Sequence, residues 1–261
     1  AFGEINSLLS TFQDAIADLN DPDIISSTIS SSSDETILKA TGSNSAVPGS
    51  YTLEVQAVAQ AHSLATASYA ETGSIVNPGT DIGTLEFTFG TTTYTDPGGA
   101  YDTFTENAEK TGATISIVKD ATLEDIRSAI NTADFGVTAS IIFDGTGYKL
   151  SLVSEDSGLD NSMEIVARDS NGVLSSNGLE AIAFNINQAS GSNIVQSQPA
   201  QDAILTFNGL SVTRESNSVT DLVPGTTLDI QSANMGQIVT IIVGADLETF
   251  TDKIDELVTA Y

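Results

Sequence analysis

The sequence predicts a multidomain α+β fold, mostly β, in which two nested β-rich head domains sit on a stalk of antiparallel helices. Three observations predict it. Apolar residues recur at helical spacing at both ends of the chain. Between the ends, short alternating runs are broken by Asn-Gly, Pro-Gly and Asp-Gly turns. The 261 residues exceed one small domain and suit two or three modules.

At the start, residues 4–19 place Ile5, Leu8, Leu9, Phe12, Ile16 and Leu19 on one helical stripe. Asn20-Asp21-Pro22-Asp23 ends this helix, because Pro22 pushes the residue before it out of the α region. At the other end, Asp246 is placed to cap a helix carrying Leu247, Phe250, Ile254, Leu257, Val258 and Tyr261 at similar spacing. Either helix alone is marginal in water, so each is expected to need the other or a neighbouring subunit. Residues 1–30 with 245–261 are therefore expected to form the stalk. Its candidate contact residues are Ile5, Leu8, Leu9, Phe12, Ile16, Leu247, Phe250, Ile254, Leu257 and Tyr261. The chain begins inside the first helix without an initiator Met, and it reads as a fragment whose stalk continues before Ala1 and after Tyr261.

A Ser-rich connector at 26–33 leads to expected strands at 34–41 and 51–59. Tyr51, Leu53, Val55 and Ala57 alternate with Thr52, Glu54 and Gln56, the pattern of a half-buried strand. Residues 203–230 carry two hairpins. The first turns at Asn208-Gly209, since both central residues of a type I′ turn need positive φ, and the second turns at Pro224-Gly225. These strands and a run at 237–243 are expected to pair with 34–41 and 51–59. Residues 31–70 and 198–244 would then form one discontinuous head domain.

The inserted head domain is expected over 71–197. Residues 90–113 read as a polar loop rich in Gly and Thr, and 115–118 as a strand. Thr122 opens a short helix with Asp125 in the capping-box position, and Leu123, Ile126 and Ile130 form its buried face. Strands at 137–143 and 148–153 flank the hairpin turn Asp144-Gly145-Thr146-Gly147, and 163–167 adds another.

Composition excludes several function classes. Eight Lys+Arg against 35 Asp+Glu give a net charge of −27, the wrong sign for nucleic acid or an anionic membrane surface. Without Cys there is no disulfide, thiolate or Cys-metal chemistry. No apolar run approaches bilayer length. His62 is the sole histidine, lies among Ala, Gln and Ser, and has no nucleophile motif near it, so a surface or packing role is expected. The acidic run 155–161 lacks the ligand spacing of a calcium loop and reads as a solvated turn. No Trp offers a sugar-stacking platform beside a carboxylate pair. The chain is expected to be non-enzymatic, with no cofactor and no metal.

Three motifs point further. Phe207-Asn208-Gly209, then Asn217-Ser218-Val219-Thr220-Asp221, then Pro224-Gly225-Thr226-Thr227-Leu228 resemble the signature of the flagellar filament-cap family, hook-associated protein 2. Pro48-Gly49, Tyr51, Leu53 and Val55, followed by Ala59-Gln60-Ala61-His62-Ser63-Leu64, are similar to a second stretch of that family. The strand–helix–hairpin order over 115–167, with Ala129-Ile130-Asn131 ending the helix, resembles the small IN motif of flagellar axial proteins. The resemblance implies a secreted structural protein at the distal tip of the filament, which promotes flagellin polymerisation and prevents loss of monomers. It implies a ring-shaped homo-oligomer and flagellin as partners. A hook–filament junction protein and an export chaperone, reached through terminal segments, are further candidates, as is host mucin. The alternatives are an adhesin-like module that binds host mucin or glycans through 71–197, and a related axial protein of the hook–filament junction.

Overall fold

The computed structural model describes residues 2–21, 24, 27–78, 82–93, 101–176, 178–186 and 194–261. Among them are sixteen strands and three α-helices, the mostly β class that the turn spacing predicts. In chain order they open with α1 (Phe2–Leu19), β1 (Thr28–Ser32), β2 (Leu38–Gly42), β3 (Gly49–Ala57) and β4 (Ala61–Ala65). Next come β5 (Gly83–Thr93), β6 (Thr103–Glu106), β7 (Ala113–Ile117), α2 (Leu123–Ala133), β8 (Val137–Phe143), β9 (Tyr148–Ser157) and β10 (Ser162–Arg168). The chain closes with β11 (Val195–Gln198), β12 (Ala203–Phe207), β13 (Leu210–Arg214), β14 (Ser218–Val223), β15 (Thr226–Ile230), β16 (Ile238–Ala245) and α3 (Leu247–Ala260). Contacts divide the chain into two units. One holds Ala1–Val58, Ile204–Val212 and Asn217–Tyr261, and the other holds Ala59–Ala203 and Thr213–Ser216.

In the first unit a five-stranded sheet, ordered β1-β16-β3-β12-β13, accompanies a three-stranded sheet ordered β14-β15-β2. The expected pairings are present: β3 lies between β12 and β16, and β15 pairs with β2. Leu53, Val55, Leu205, Val239, Ile241 and Val243 of the larger sheet are buried, as are Leu38, Val219, Leu228 and Ile230 of the smaller. Removing this much aliphatic surface from water supplies the main driving force, about 25 cal/mol for each Å² buried. Asn208 (φ 47°) and Gly209 (φ 83°) adopt the two positive φ values a type I′ turn requires. The Asn208 side-chain oxygen also accepts from the Thr52 N–H at 2.9 Å, tying the turn to β3.

Two expectations change here. The Ser-rich segment read as a connector contains an edge strand, β1, paired from Thr28↔Ala245 to Ser32↔Ile241. It covers the outer edge of β16, and Ser and Thr can do so because pairing uses only the backbone. The strand expected at 34–41 is shorter and begins at Leu38. Asp34 takes the Thr36 N–H at 3.0 Å and the Thr36 hydroxyl at 2.6 Å, and this local turn competes with strand pairing.

The second unit has two four-stranded sheets. One is ordered β10-β5-β6 with β7 also on β5, and the other β11-β4-β9-β8. Its core collects Leu85, Phe87 and Phe89 of β5, Met163 and Ile165 of β10, Leu150 and Leu152 of β9, and Leu123, Ile126 and Ile130 of α2. The capping box is complete: the Thr122 hydroxyl accepts from the Asp125 N–H at 3.2 Å, and Asp125 takes the Thr122 N–H at 2.9 Å. Those bonds to Thr122 hold the Asp125 carboxyl below its usual range. The segment 90–113, read as a polar loop, instead continues β5 to Thr93 and contains β6, with Tyr101 buried. Three consecutive threonines have strand propensity but no apolar alternation, so the period-2 signal was missing. Residues 94–100 of that expectation lie outside the described residues.

Candidate functional site

The candidate contact residues lie on α1 and α3, which pack against each other in the first unit. The Asp246 cap forms as expected: its carboxylate accepts from the Thr249 N–H at 3.0 Å and the Thr249 hydroxyl at 2.7 Å. At the end of α1 the Asn20 N–H closes onto the Ile16 and Ala17 carbonyls, both at 3.1 Å, while the predicted stop at Pro22 lies outside the described residues. Two contacts fix an antiparallel register. Lys253 Nζ meets Asp18 at 2.9 Å, and the Phe12 and Tyr261 rings lie 6.2 Å apart at 49°. That register carries Phe2 and Ile5 past the level of Tyr261.

Neither helix has a buried residue. Phe12, Leu19 and Leu257 are half-buried along the seam. Ile5, Leu8, Leu9, Ile16, Leu247, Phe250, Ile254 and Tyr261 are exposed, Leu8 by 64% and Tyr261 by 99%. Val258, on the same stripe and 67% exposed, belongs with them, as does Phe2 at the start of α1.

Helical rotation of about 100° per residue sorts the rest. On α1, Ile5, Leu9 and Ile16 fall on one side of the seam, with Thr11, Asp14 and Asp18 on the other. On α3, Phe250, Ile254 and Val258 fall on the first side, with Asp252, Asp255, Glu256 and Thr259 on the second. The pair therefore has an apolar face and, behind it, a groove of about 680 Å³ edged by carboxylates. Residues 2–19 and 247–260 carry seven acids (Glu4, Asp14, Asp18, Glu248, Asp252, Asp255 and Glu256) and a single cation, Lys253. Glu256, then Asp18, hold the Lys253 ammonium above its ordinary pKa. The periodicity had exposed the apolar stripe. The acidic side needed the interhelix register, which no single-helix pattern carries.

The other sequence candidates sit in the second unit. His62, on β4, is 0% exposed; its Nδ1 accepts the Met163 N–H at 2.8 Å, and its ring lies 5.5 Å from that of Phe184. Burial pushes its pKa down to about 4. The acidic run read as a turn is strand at 155–157, the end of β9, and a single 3-10 turn at Leu159–Asn161; there Asp156 binds Lys110 at 2.8 Å and Asp160 accepts from Thr91. Burial, and then the nearby Asp160 and Asp202, raise the Glu215 carboxyl. Among the described residues no group of three metal-ligating side chains converges. This set packs and orients strands, and it assembles no nucleophile, base and acceptor geometry.

Comparison with known proteins follows the same order along the chain. Residues 1–62 match the family model described as Flagellar hook-associated protein 2 N-terminus, and 200–261 match the corresponding C-terminus. Residues 84–156 match the Flagellin hook IN motif. The flagellar hook-associated protein 2 of Escherichia coli K12 is 34% identical over 223 residues, which cover 85% of this chain and 42% of that protein. The B-type protein of Pseudomonas aeruginosa PAO1 is 30% identical over 271 residues, covering 100% of this chain and 52% of that protein. This chain thus spans about half the length of these curated relatives. The crystal structure of the D1-D2-D3 domains of the flagellar cap protein FliD from Escherichia coli superposes with a TM-score of 0.75 at 31% identity, covering 100% of this chain and 66% of that one.

Proposed function

This chain belongs to the flagellar hook-associated protein 2 family, and from that premise we propose that it caps the distal end of the bacterial flagellar filament. The observation that carries the reading is the order of the matches: the family's two terminal models bracket the flagellin hook motif within one chain. The role is structural. Copies of the protein form a ring at the filament tip, outside the cell, where they promote flagellin polymerisation and keep monomers from escaping. A hook–filament junction protein and an export chaperone are further proposed partners.

The working parts on this reading are the stalk, 1–30 with 245–261, and two heads, 31–70 with 198–244 and 71–197; within the first range β4 pairs in a sheet of the second unit, which moves that boundary toward residue 58. Ile5, Leu8, Leu9, Phe12, Ile16, Leu247, Phe250, Ile254, Leu257 and Tyr261 form the contact surface toward a neighbouring copy or flagellin. The supporting argument is energetic. A two-helix pair with no buried residue gains little by itself, and a partner that covers its apolar face contributes about 25 cal/mol for each Å² of apolar area removed from water.

Gold-labelled antibody on the cells that encode this chain tests the proposal. Label confined to filament tips supports it. Label along the shaft, at the hook junction or on the cell body overturns it.

A further inference from the structure

We infer that the groove behind the apolar face of the α1–α3 pair is a docking site for a cationic amphipathic helix, one with a small-apolar stripe flanked by lysine or arginine. The inference concerns the side of the pair behind the apolar face, shares only Leu8 with the surface proposed above, and does not rest on the cap reading.

Shape comes first. Ala15 and Ala260 stand where α1 and α3 would otherwise fill the space between them, and with Leu8 they leave an aliphatic floor under a groove of about 680 Å³. An α-helix is about 10–12 Å across with its side chains, so a third helix can lay one stripe on such a floor while its flanks stay at the rim.

Charge then selects the occupant. Asp14 and Asp18 edge the α1 side, and Asp252, Asp255 and Glu256 edge the α3 side. The single local cation, Lys253, is already held by Asp18 at 2.9 Å and Glu256 at 2.8 Å. A second copy presenting the same groove would set five acids against five and meet like-charge repulsion, and its apolar face brings no cation to the rims. A divalent ion is poorly served, since among the described residues no three metal-ligating side chains converge. The carboxylates are strung along two rims. They match a row of ammonium or guanidinium groups on each flank of a helix, each pairing at a partly desolvated edge while the apolar stripe covers the floor.

The test uses the whole chain and a synthetic helical peptide with a Leu/Ala stripe flanked on both sides by lysines, followed by calorimetry. A peptide with glutamates in place of the lysines is the first control. Neutralising the groove (Asp14→Asn, Asp252→Asn, Asp255→Asn) is compared with neutralising three exposed acids of the second unit (Glu109→Gln, Glu124→Gln, Asp134→Asn), which changes net charge equally. The inference expects the lysine peptide to bind and the glutamate peptide not to. The groove variant should weaken binding by about tenfold or more and the control variant by less than about twofold. Ala15→Phe, which fills the floor without altering charge, should also weaken it. Helix content by circular dichroism confirms that each variant is folded. No binding of the lysine peptide, equal weakening in the two charge variants, or full binding to Ala15→Phe overturns the inference.

Discussion

His62 makes the second unit acid-sensitive, and the size of the effect follows from its surroundings. Its Nδ1 accepts the Met163 N–H at 2.8 Å, so the neutral ring carries its proton on Nε2. Nε2 is buried and has no hydrogen-bond partner among the described residues. Protonating Nδ1 would set two N–H donors against each other and place a full charge beside Phe184 with no acceptor. Burial lowers the pKa from 6.5 to about 4. One pKa unit corresponds to 1.36 kcal/mol, so this amounts to about 3 kcal/mol in favour of the neutral ring. Because the folded pKa is the lower one, the stability is fully present above pH 6.5 and is lost as pH falls toward 4. Small domains have about 5–15 kcal/mol to lose. Carboxylates titrate in the same range, so the assay is a difference: urea unfolding of wild type and His62→Gln, followed by circular dichroism above pH 6.5 and near pH 4. Gln can still accept from Met163 but does not titrate. The stability advantage of wild type over His62→Gln should shrink by about 3 kcal/mol between the two conditions. An advantage that stays constant, or a histidine resonance that titrates near 6.5, refutes the reasoning.

Packing and charge set four further outcomes. Asn131 accepts the Ala139 N–H at 2.8 Å and donates to the Ala139 carbonyl at 2.9 Å, closing the edge of β8 as a strand would. Asn131→Ala should cost about 1–3 kcal/mol in unfolding free energy and speed hydrogen exchange of the Ala139 amide. A Cβ at Gly112 would collide with the Phe87 carbonyl, whereas one at Gly209 meets nothing within 4 Å and is opposed only by its positive φ of 83°. Gly209→Ala should therefore cost about 1 kcal/mol and Gly112→Ala clearly more, as read from thermal unfolding. Ile254→Asp, on the exposed apolar face, should leave the melting temperature of the isolated chain nearly unchanged while weakening any self-association measured by sedimentation. Raising salt should strengthen that association in the wild type, because copies of net charge −27 repel at low ionic strength.

How much of this was legible in the sequence depended on whether the signal was local. The α1 and α3 stripes, the Asp246 cap, the Thr122–Asp125 capping box and the Asn208-Gly209 turn each depend on residues within a few positions of one another, and each is present in the structure. β1 was hidden because its stability comes from the edge of β16, more than 200 residues away, and a Ser/Thr strand has no period-2 contrast. β6 was hidden for the same reason beside Thr91-Thr92-Thr93. The burial of His62 was not readable from its small neighbours Ala61 and Ser63, since what encloses it comes from β10 and Phe184. The apolar spacing marked two helices that the structure contains, but which of their residues line the seam and which stay exposed depended on the register between Asp18 and Lys253. The acidic groove likewise exists only once that register is set.

Flagellin release tests whether this chain caps the filament. In the bacterium that encodes this chain, the gene is deleted and flagellin in the culture medium is compared with flagellin in filaments. Complementation then uses the wild-type gene or one carrying Leu9→Asp with Ile254→Asp. Deletion should send flagellin into the medium, wild type should return it to filaments, and the double variant should be exported yet fail to do so. Filaments of normal length and unchanged flagellin release in the deletion strain would contradict the cap reading.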